Sequence, residues 1–171
     1  MAERHRRQAR LAALEARMRR LEDEIAIYRL LASYPLAVDS CDENATASLW
    51  APDGTYDYGG RPHVGAQDVG SLVNLHSHRG YVAKGCAHVM SLPFISVEGD
   101  RAVATGYSRL YVRAGDGWKI ERVSANRWEL IRVAGDWKVT SRTNRLMDGT
   151  PAGREILSRG LAAKEFQEIS V

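Results

Sequence analysis

His88-Val-Met-Ser-Leu-Pro-Phe-Ile95 and Arg101-Ala-Val-Ala-Thr-Gly-Tyr-Ser-Arg-Leu-Tyr-Val-Arg113 decide how this chain folds. In the first, His88, Met90, Leu92 and Phe94 alternate with Val89, Ser91, Pro93 and Ile95, and the second alternates in the same way after the turn Glu98-Gly99-Asp100. A period of two over such lengths marks half-buried strands. The chain then repeats a pattern: Arg113-Ala-Gly-Asp-Gly-Trp118-Lys119-Ile120 is echoed by Arg132-Val-Ala-Gly-Asp-Trp137-Lys138-Val139. Each reads as a hairpin turn feeding a strand that opens with Trp-Lys. The region from His88 to about Arg145 is therefore expected to be a succession of long antiparallel strands.

Upstream the period is helical. Ile25, Ile27, Leu30, Leu31, Tyr34 and Val38 share one face of a helix packed against something large, which Pro35 is expected to kink or end. A short helix over 43–50, a turn at Pro52-Asp53-Gly54, a strand over 55–58, a turn over 59–62 and a helix over 67–78 follow. Helices preceding a run of strands predict an α+β fold, a cone-shaped, strongly curved antiparallel sheet packed on N-terminal helices.

Before this domain, Leu11, Leu14, Met18, Leu21, Ile25 and Tyr28 are spaced 3, 4, 3, 4, 3, the a/d pattern of a heptad repeat, among good helix formers. One helix from 4 to about 33 is expected, with 1–24 as a helical, coiled-coil-like extension that self-associates, or else a solvated helix. Domain organisation reads as this arm, a domain over 25–150 and a tail over 151–171.

Composition sets outer limits. At 171 residues, 44% hydrophobic and 26% charged, the chain suits one domain plus an appendage, large enough to hold a core without disulfides. Seven arginines against two glutamates in residues 1–20 leave +5 there, and +3 overall leaves −2 for the rest. The domain itself carries no basic surplus, which argues against nucleic-acid binding. No apolar run reaches the roughly 20 residues that cross a bilayer, and two cysteines, Cys41 and Cys86, suit a reducing cytoplasm.

A cone with an open mouth lines a pocket at its wide end. Tyr34 and Asp39 interrupt the apolar stripe of the first helix, and His88 opens the first long strand on the face of Met90 and Leu92. If they converge, the carboxylate accepts one imidazole N–H, the other ring nitrogen removes a proton from carbon, and tyrosine donates to an oxygen. His76 and His78 form an H-x-H pair that could ligate a metal with His63 or His88, but the surrounding pattern reads as a lid helix, so no metal is expected. Neither a dinucleotide fingerprint nor a phosphate-binding glycine loop is present, so no nucleotide cofactor is expected.

Tyr34-x4-Asp39, Asn44-Ala-Thr-Ala-Ser-Leu-Trp50, Asp53-Gly-Thr-Tyr56, Ala87-His88, Gly99-Asp-Arg-Ala102, Asn126-Arg-Trp-Glu129 and Gly135-Asp-Trp-Lys-Val139 occur in an order and spacing that resembles the SnoaL-like branch of the nuclear transport factor 2-like superfamily. The resemblance covers 25 to about 147. Its nearest pattern is that of the Asp-His dehydratases, scytalone dehydratase, bile-acid 7α-dehydratase and hexachlorocyclohexane dehydrochlorinase. It implies a catalytic Asp39–His88 dyad in a conical pocket, with Tyr34 and Tyr58 as pocket tyrosines and Asn126 and Arg142 as polar residues of the last strands. Trp50, Tyr56 and Trp128 would then be pocket walls for a flat ligand.

The function so implied is cofactor-independent elimination on a hydrophobic cyclic small molecule such as a steroid or polyketide. Isomerisation or cyclisation through the same dyad is the second reading, and a non-catalytic ligand-binding module the third. Family members that pair through the outer sheet face imply a homo-oligomer, a dimer or trimer.

Overall fold

The computed structural model describes residues 1–162; residues 163–171, the end of the segment read as a tail, lie outside the described residues. The elements run α1 (Ala2–Asp39), α2 (Glu43–Ser48), β1 (Trp50–Asp57), β2 (His63–Val64), α3 (Ala66–Ser71), a 3-10 turn (Leu72–Asn74), α4 (His76–Lys84), β3 (Cys86–Met90), β4 (Phe94–Glu98), β5 (Arg101–Ala114), β6 (Gly117–Val133), β7 (Asp136–Leu146) and α5 (Pro151–Ala162). The architecture is α+β. One seven-stranded sheet is ordered β2-β1-β7-β6-β5-β3, with β4 also paired to β5. The β5–β6 and β6–β7 ladders slip register at Leu110/Tyr111 and Glu129/Leu130, irregularities of the kind that bend a strand and curve a sheet. The inner half of α1 fills the concave side, with Ile27, Leu31, Tyr34 and Val38 packed among Ile95, Ala102, Ala104, Trp128, Leu130, Trp137 and Val139.

The sheet is mixed, not wholly antiparallel. β1 lies parallel to β7, pairing Trp50 with Val139 and Thr55 with Ser141. Nearly the whole domain separates these strands in sequence, so no hairpin dictates their direction. The expected turn at Pro52-Asp53-Gly54 is instead a register shift within β1 between Trp50 and Thr55. The alternating run from His88 is cut in two, because Pro93 cannot donate to a ladder; β3 and β4 each pair separately with β5. The helix expected over 67–78 is two short helices joined by the 3-10 turn.

Pro35 neither ends α1 nor stops it from reaching Asp39. It removes one hydrogen bond close to the helix end, while its neighbours Tyr34, Ala37 and Val38 are buried against the domain and hold the turn in place. The helix stops at Cys41, whose φ is 56°. The Cys41 N–H donates to the Val38 carbonyl at 3.1 Å and the Asp42 N–H to the Ala37 carbonyl at 3.0 Å, a Schellman closure with a non-glycine residue in the left-handed position. Cys41→Gly is therefore expected to raise stability by about 0.5–1 kcal/mol, the relief of left-handed strain exceeding the chain entropy that glycine adds. A rise in the urea midpoint checks this, and a fall would show that the turn is unstrained.

Residues 151–162 of the expected tail form α5, packed on β5, β6 and β7. Its Gly160 lies so close to the sheet that a Cβ there would come within 2.6 Å of Thr105 side-chain atoms.

Candidate active site

Asp39 ends α1, where a negative charge meets the negative end of the helix dipole and no basic side chain stands in the last turn. The carboxylate is held instead by the sheet. Its Oδ2 accepts the His88 backbone N–H at 2.8 Å, and its Oδ1 lies 2.6 Å from His88 Nδ1 and 3.8 Å from Cys86 Sγ. β3 supplies all three donors from two positions on the same side of the strand. With Nδ1–H committed to Asp39, Nε2 is the lone-pair nitrogen. It has no hydrogen-bond partner among the described residues, and the His88 ring lines a cavity of about 360 Å³.

Asp39, Cys86 and His88 also place three potential metal-donor atoms within 4.8 Å of one another. Two ligands on a tetrahedral zinc would sit about 3.3 Å apart given bonds of about 2.0 Å, so a 2.6 Å contact suits a shared proton better. Burial and the Asp39 charge push the Cys86 thiol up to about 11, which keeps it protonated and a donor. The H-x-H pair diverges: His76 is exposed at the start of α4, whereas His78 turns inward.

His78 lies in the cavity wall and stacks on His88 with ring centroids 5.7 Å apart. Its Nε2 donates to the Val38 carbonyl at 2.8 Å. Burial, helped by the nearby His88, holds His78 below the ordinary imidazole value despite the opposing pull of that carbonyl. A neutral ring thus lies against the face of His88, so His88 can accept a proton without a second imidazolium beside it.

Tyr34, Tyr56 and Tyr58 line the cavity, with Val38, Val69, Leu72, Val73 and Leu75 supplying apolar wall. Burial raises the Tyr56 phenol well above its usual value, against the opposing pull of Arg142. Tyr58 belongs to a second chain of hydrogen bonds. Its hydroxyl is 3.1 Å from His63 Nε2, and His63 Nδ1 is 3.1 Å from Asp68 Oδ2, which also accepts the Val64 N–H at 3.1 Å. Sequence reasoning left Asp68 out. The signal was local: an acid three residues after Gly65, early in α3, with His63 five residues from both tyrosine and acid.

Arg142 and Asn126 are buried together. Asn126 Oδ1 accepts from Arg142 Nε at 3.1 Å and Nη2 at 2.7 Å and from Asn144 Nδ2 at 2.9 Å. The guanidinium carbon lies 4.1–4.5 Å from the ring centres of Trp128, Tyr34 and Tyr56. Among the described residues no carboxylate pairs with this cation and its Nη1 has no hydrogen-bond partner. Arg142, Asn126, Trp50 and Trp128 are not part of the lining of the 360 Å³ cavity. Arg142, Trp50 and Trp128 reach its lining through Tyr34 and Tyr56 and Asn126 through Asn144, while Trp128 lines a separate apolar cavity of about 370 Å³ on the α1 side of His88. Of the residues singled out in the sequence, those brought together at the cavity itself are therefore His88, Tyr34, Tyr56 and Tyr58, with Asp39 behind His88 and outside the lining.

The SnoaL-like domain model matches residues 19–143. An NTF2-like protein with a cystatin-like fold from Novosphingobium aromaticivorans is 37% identical over 86% of this chain and 96% of its own, with a TM-score of 0.84. The fold recurs in a Catenulispora acidiphila protein solved in complex with S-DNPA, at 23% identity, 82% and 98% coverage and a TM-score of 0.64. It recurs again in Aln2 from a Streptomyces species, at 14% identity, 81% and 95% coverage and a TM-score of 0.66. No curated protein matches the chain, and among the described residues no helix is long and apolar enough to cross a membrane. A matched length of 19–143 together with the 37% relative establishes that this chain belongs to the SnoaL-like domain family of the NTF2-like superfamily, a family that includes polyketide cyclases and isomerases.

Proposed function

We propose that the protein is a cofactor-independent lyase that eliminates water from a hydrophobic cyclic small molecule, of steroid or polyketide type, with His88 as general base and Asp39 as its orienting partner. The observation that supports this most is the 2.6 Å contact between Asp39 Oδ1 and His88 Nδ1 on a ring that borders the cavity. A non-catalytic binding module has no need of such a pair. The substrate's rings lie against the apolar wall, and the Nε2 lone pair removes the proton next to a carbonyl while the Asp39 carboxylate stabilises the imidazolium formed. Tyr34 or Tyr58 donates to the oxygen on which negative charge develops.

In the second half of the reaction the electron pair returns from the enolate, the neighbouring C–O bond breaks, and the departing hydroxide takes a proton to leave as water. Tyr58 suits that delivery when His63 carries both ring protons: the imidazolium, paired with Asp68 through Nδ1–H, donates Nε2–H to the Tyr58 oxygen and so replaces the proton that Tyr58 gives to the hydroxide. Isomerisation or cyclisation uses the same first step and differs only in where the enolate sends its electrons. Family membership favours that second reading.

The test is a panel of cyclic β-hydroxy ketones followed by the rise in ultraviolet absorbance as a conjugated double bond forms. With a substrate in hand, Tyr58→Phe is expected to lower kcat about 10²-fold with KM little changed. His63→Gln is expected to produce part of that loss. If Tyr58→Phe raises KM alone, the hydroxyl only binds and the delivery role belongs elsewhere.

A further inference from the structure

The outer half of α1 carries an apolar stripe that none of the described residues covers. Leu11, Leu14, Met18, Leu21 and Ile25 are each between 49% and 58% exposed. The domain docks on a different side of the same helix. Asp23 holds Arg132 at 2.5 Å and the Trp137 indole N–H at 3.2 Å, and Ile27 is fully buried. At about 100° per residue, Ile25 and Ile27 point 200° apart, so the stripe faces away from the helix's own domain.

Charges flanking the stripe select its occupant. With Leu11, Met18 and Ile25 at a and Leu14 and Leu21 at d, the g positions are Arg10, Arg17 and Glu24 and the following e positions are Glu15, Glu22 and Arg29. In a parallel, in-register pair of helices each g side chain meets the e side chain five residues later on the other helix. The meetings are Arg10 with Glu15, Arg17 with Glu22 and Glu24 with Arg29, every one of opposite sign. Antiparallel registers that close the same seam set Arg17 against a second Arg17, or Glu15 against Glu22. Ile25 at a with leucines at d is the combination that favours two strands, carried here by one of the three a positions.

We infer that residues 11–25 form a parallel, in-register, two-stranded coiled coil with a second copy of this chain. Two heptads are few for a coiled coil formed from disordered peptides, but here the helix is already ordered and anchored at Asp23 and Ile27, so association does not have to order it. Each domain sits on the outward side of its own helix, which leaves the seam free to close. This inference is independent of the proposed chemistry.

The full-length chain carrying Leu14→Cys places two thiols face to face at a d position. Mild oxidation is expected to give a covalent dimer on a non-reducing gel where the unsubstituted chain, with only Cys41 and Cys86, gives none. Light scattering is expected to report twice the chain mass. Adding Arg17→Glu is expected to weaken association about tenfold by placing like charges at two g–e contacts, and adding Glu22→Arg to that variant is expected to restore it. A mass of one or three chains, Leu14→Cys that does not cross-link, or Arg17→Glu without effect overturns the inference. All these positions are exposed, and unchanged far-ultraviolet dichroism shows that the variants fold.

Discussion

Asp39→Asn and His88→Gln are each expected to lower kcat by about 10²–10⁴-fold, the usual worth of a positioned general base. The two losses should not add, because the residues act as a unit. His88→Gln removes the base. Asp39→Asn acts differently: its amide can offer His88 Nδ1 an N–H in place of a lone pair, which turns the imidazole to the tautomer whose Nε2 carries the hydrogen and points it at the substrate. Neutral His78, stacked on His88, adds no charge of its own at neutral pH. Progress curves for the two single variants and the double variant check these losses. Equal activity in His88→Gln and the parent would remove histidine from the mechanism.

Trp128→Ala is expected to cost about 3–5 kcal/mol, the range for deleting a large aromatic from a packed core. The ring is almost fully buried, meets Tyr34 edge-on with centroids 5.3 Å apart and lies 4.1 Å from the Arg142 guanidinium. Removing it opens a void and also takes one of three aromatic faces from a buried cation that no carboxylate among the described residues neutralises. Against a total stability of roughly 5–15 kcal/mol this is a large fraction. The urea midpoint should fall sharply with an unchanged m-value. A loss below about 1 kcal/mol would mean that the cation is not held by these rings.

Strand positions, the two Gly-Asp hairpins and the stripe on α1 were legible in the sequence because each rests on periodicity or turn chemistry, which are local. What was not legible depends on distant partners. Pro35 reads as a helix breaker until Tyr34, Ala37 and Val38 are seen packed on both sides of it. The parallel pairing of β1 with β7 joins residues about ninety positions apart, and no local pattern encodes it. At the site, Asp39 and His88 stood out as polar breaks in apolar faces. Arg142 gave no such sign: an arginine on an alternating strand normally faces water, and only the three rings around it explain its burial. The Tyr58–His63–Asp68 chain was hidden because Tyr58 lies in the bend after β1, His63 on the two-residue β2 and Asp68 on the short α3, stretches too brief for a period to show which side chains share a face.

The central claim is that His88, oriented by Asp39, removes a proton from carbon beside a carbonyl, and solvent deuterium exchange reads that step whether the product is an alkene, an isomer or a ring. The measurement follows the α-proton signal of a fused-ring cyclic ketone by NMR in heavy water with the parent enzyme and with His88→Gln. The account expects exchange with the parent and its loss in the variant, with the ketone unchanged in enzyme-free buffer. Exchange at equal rates in both, or in neither, would contradict it.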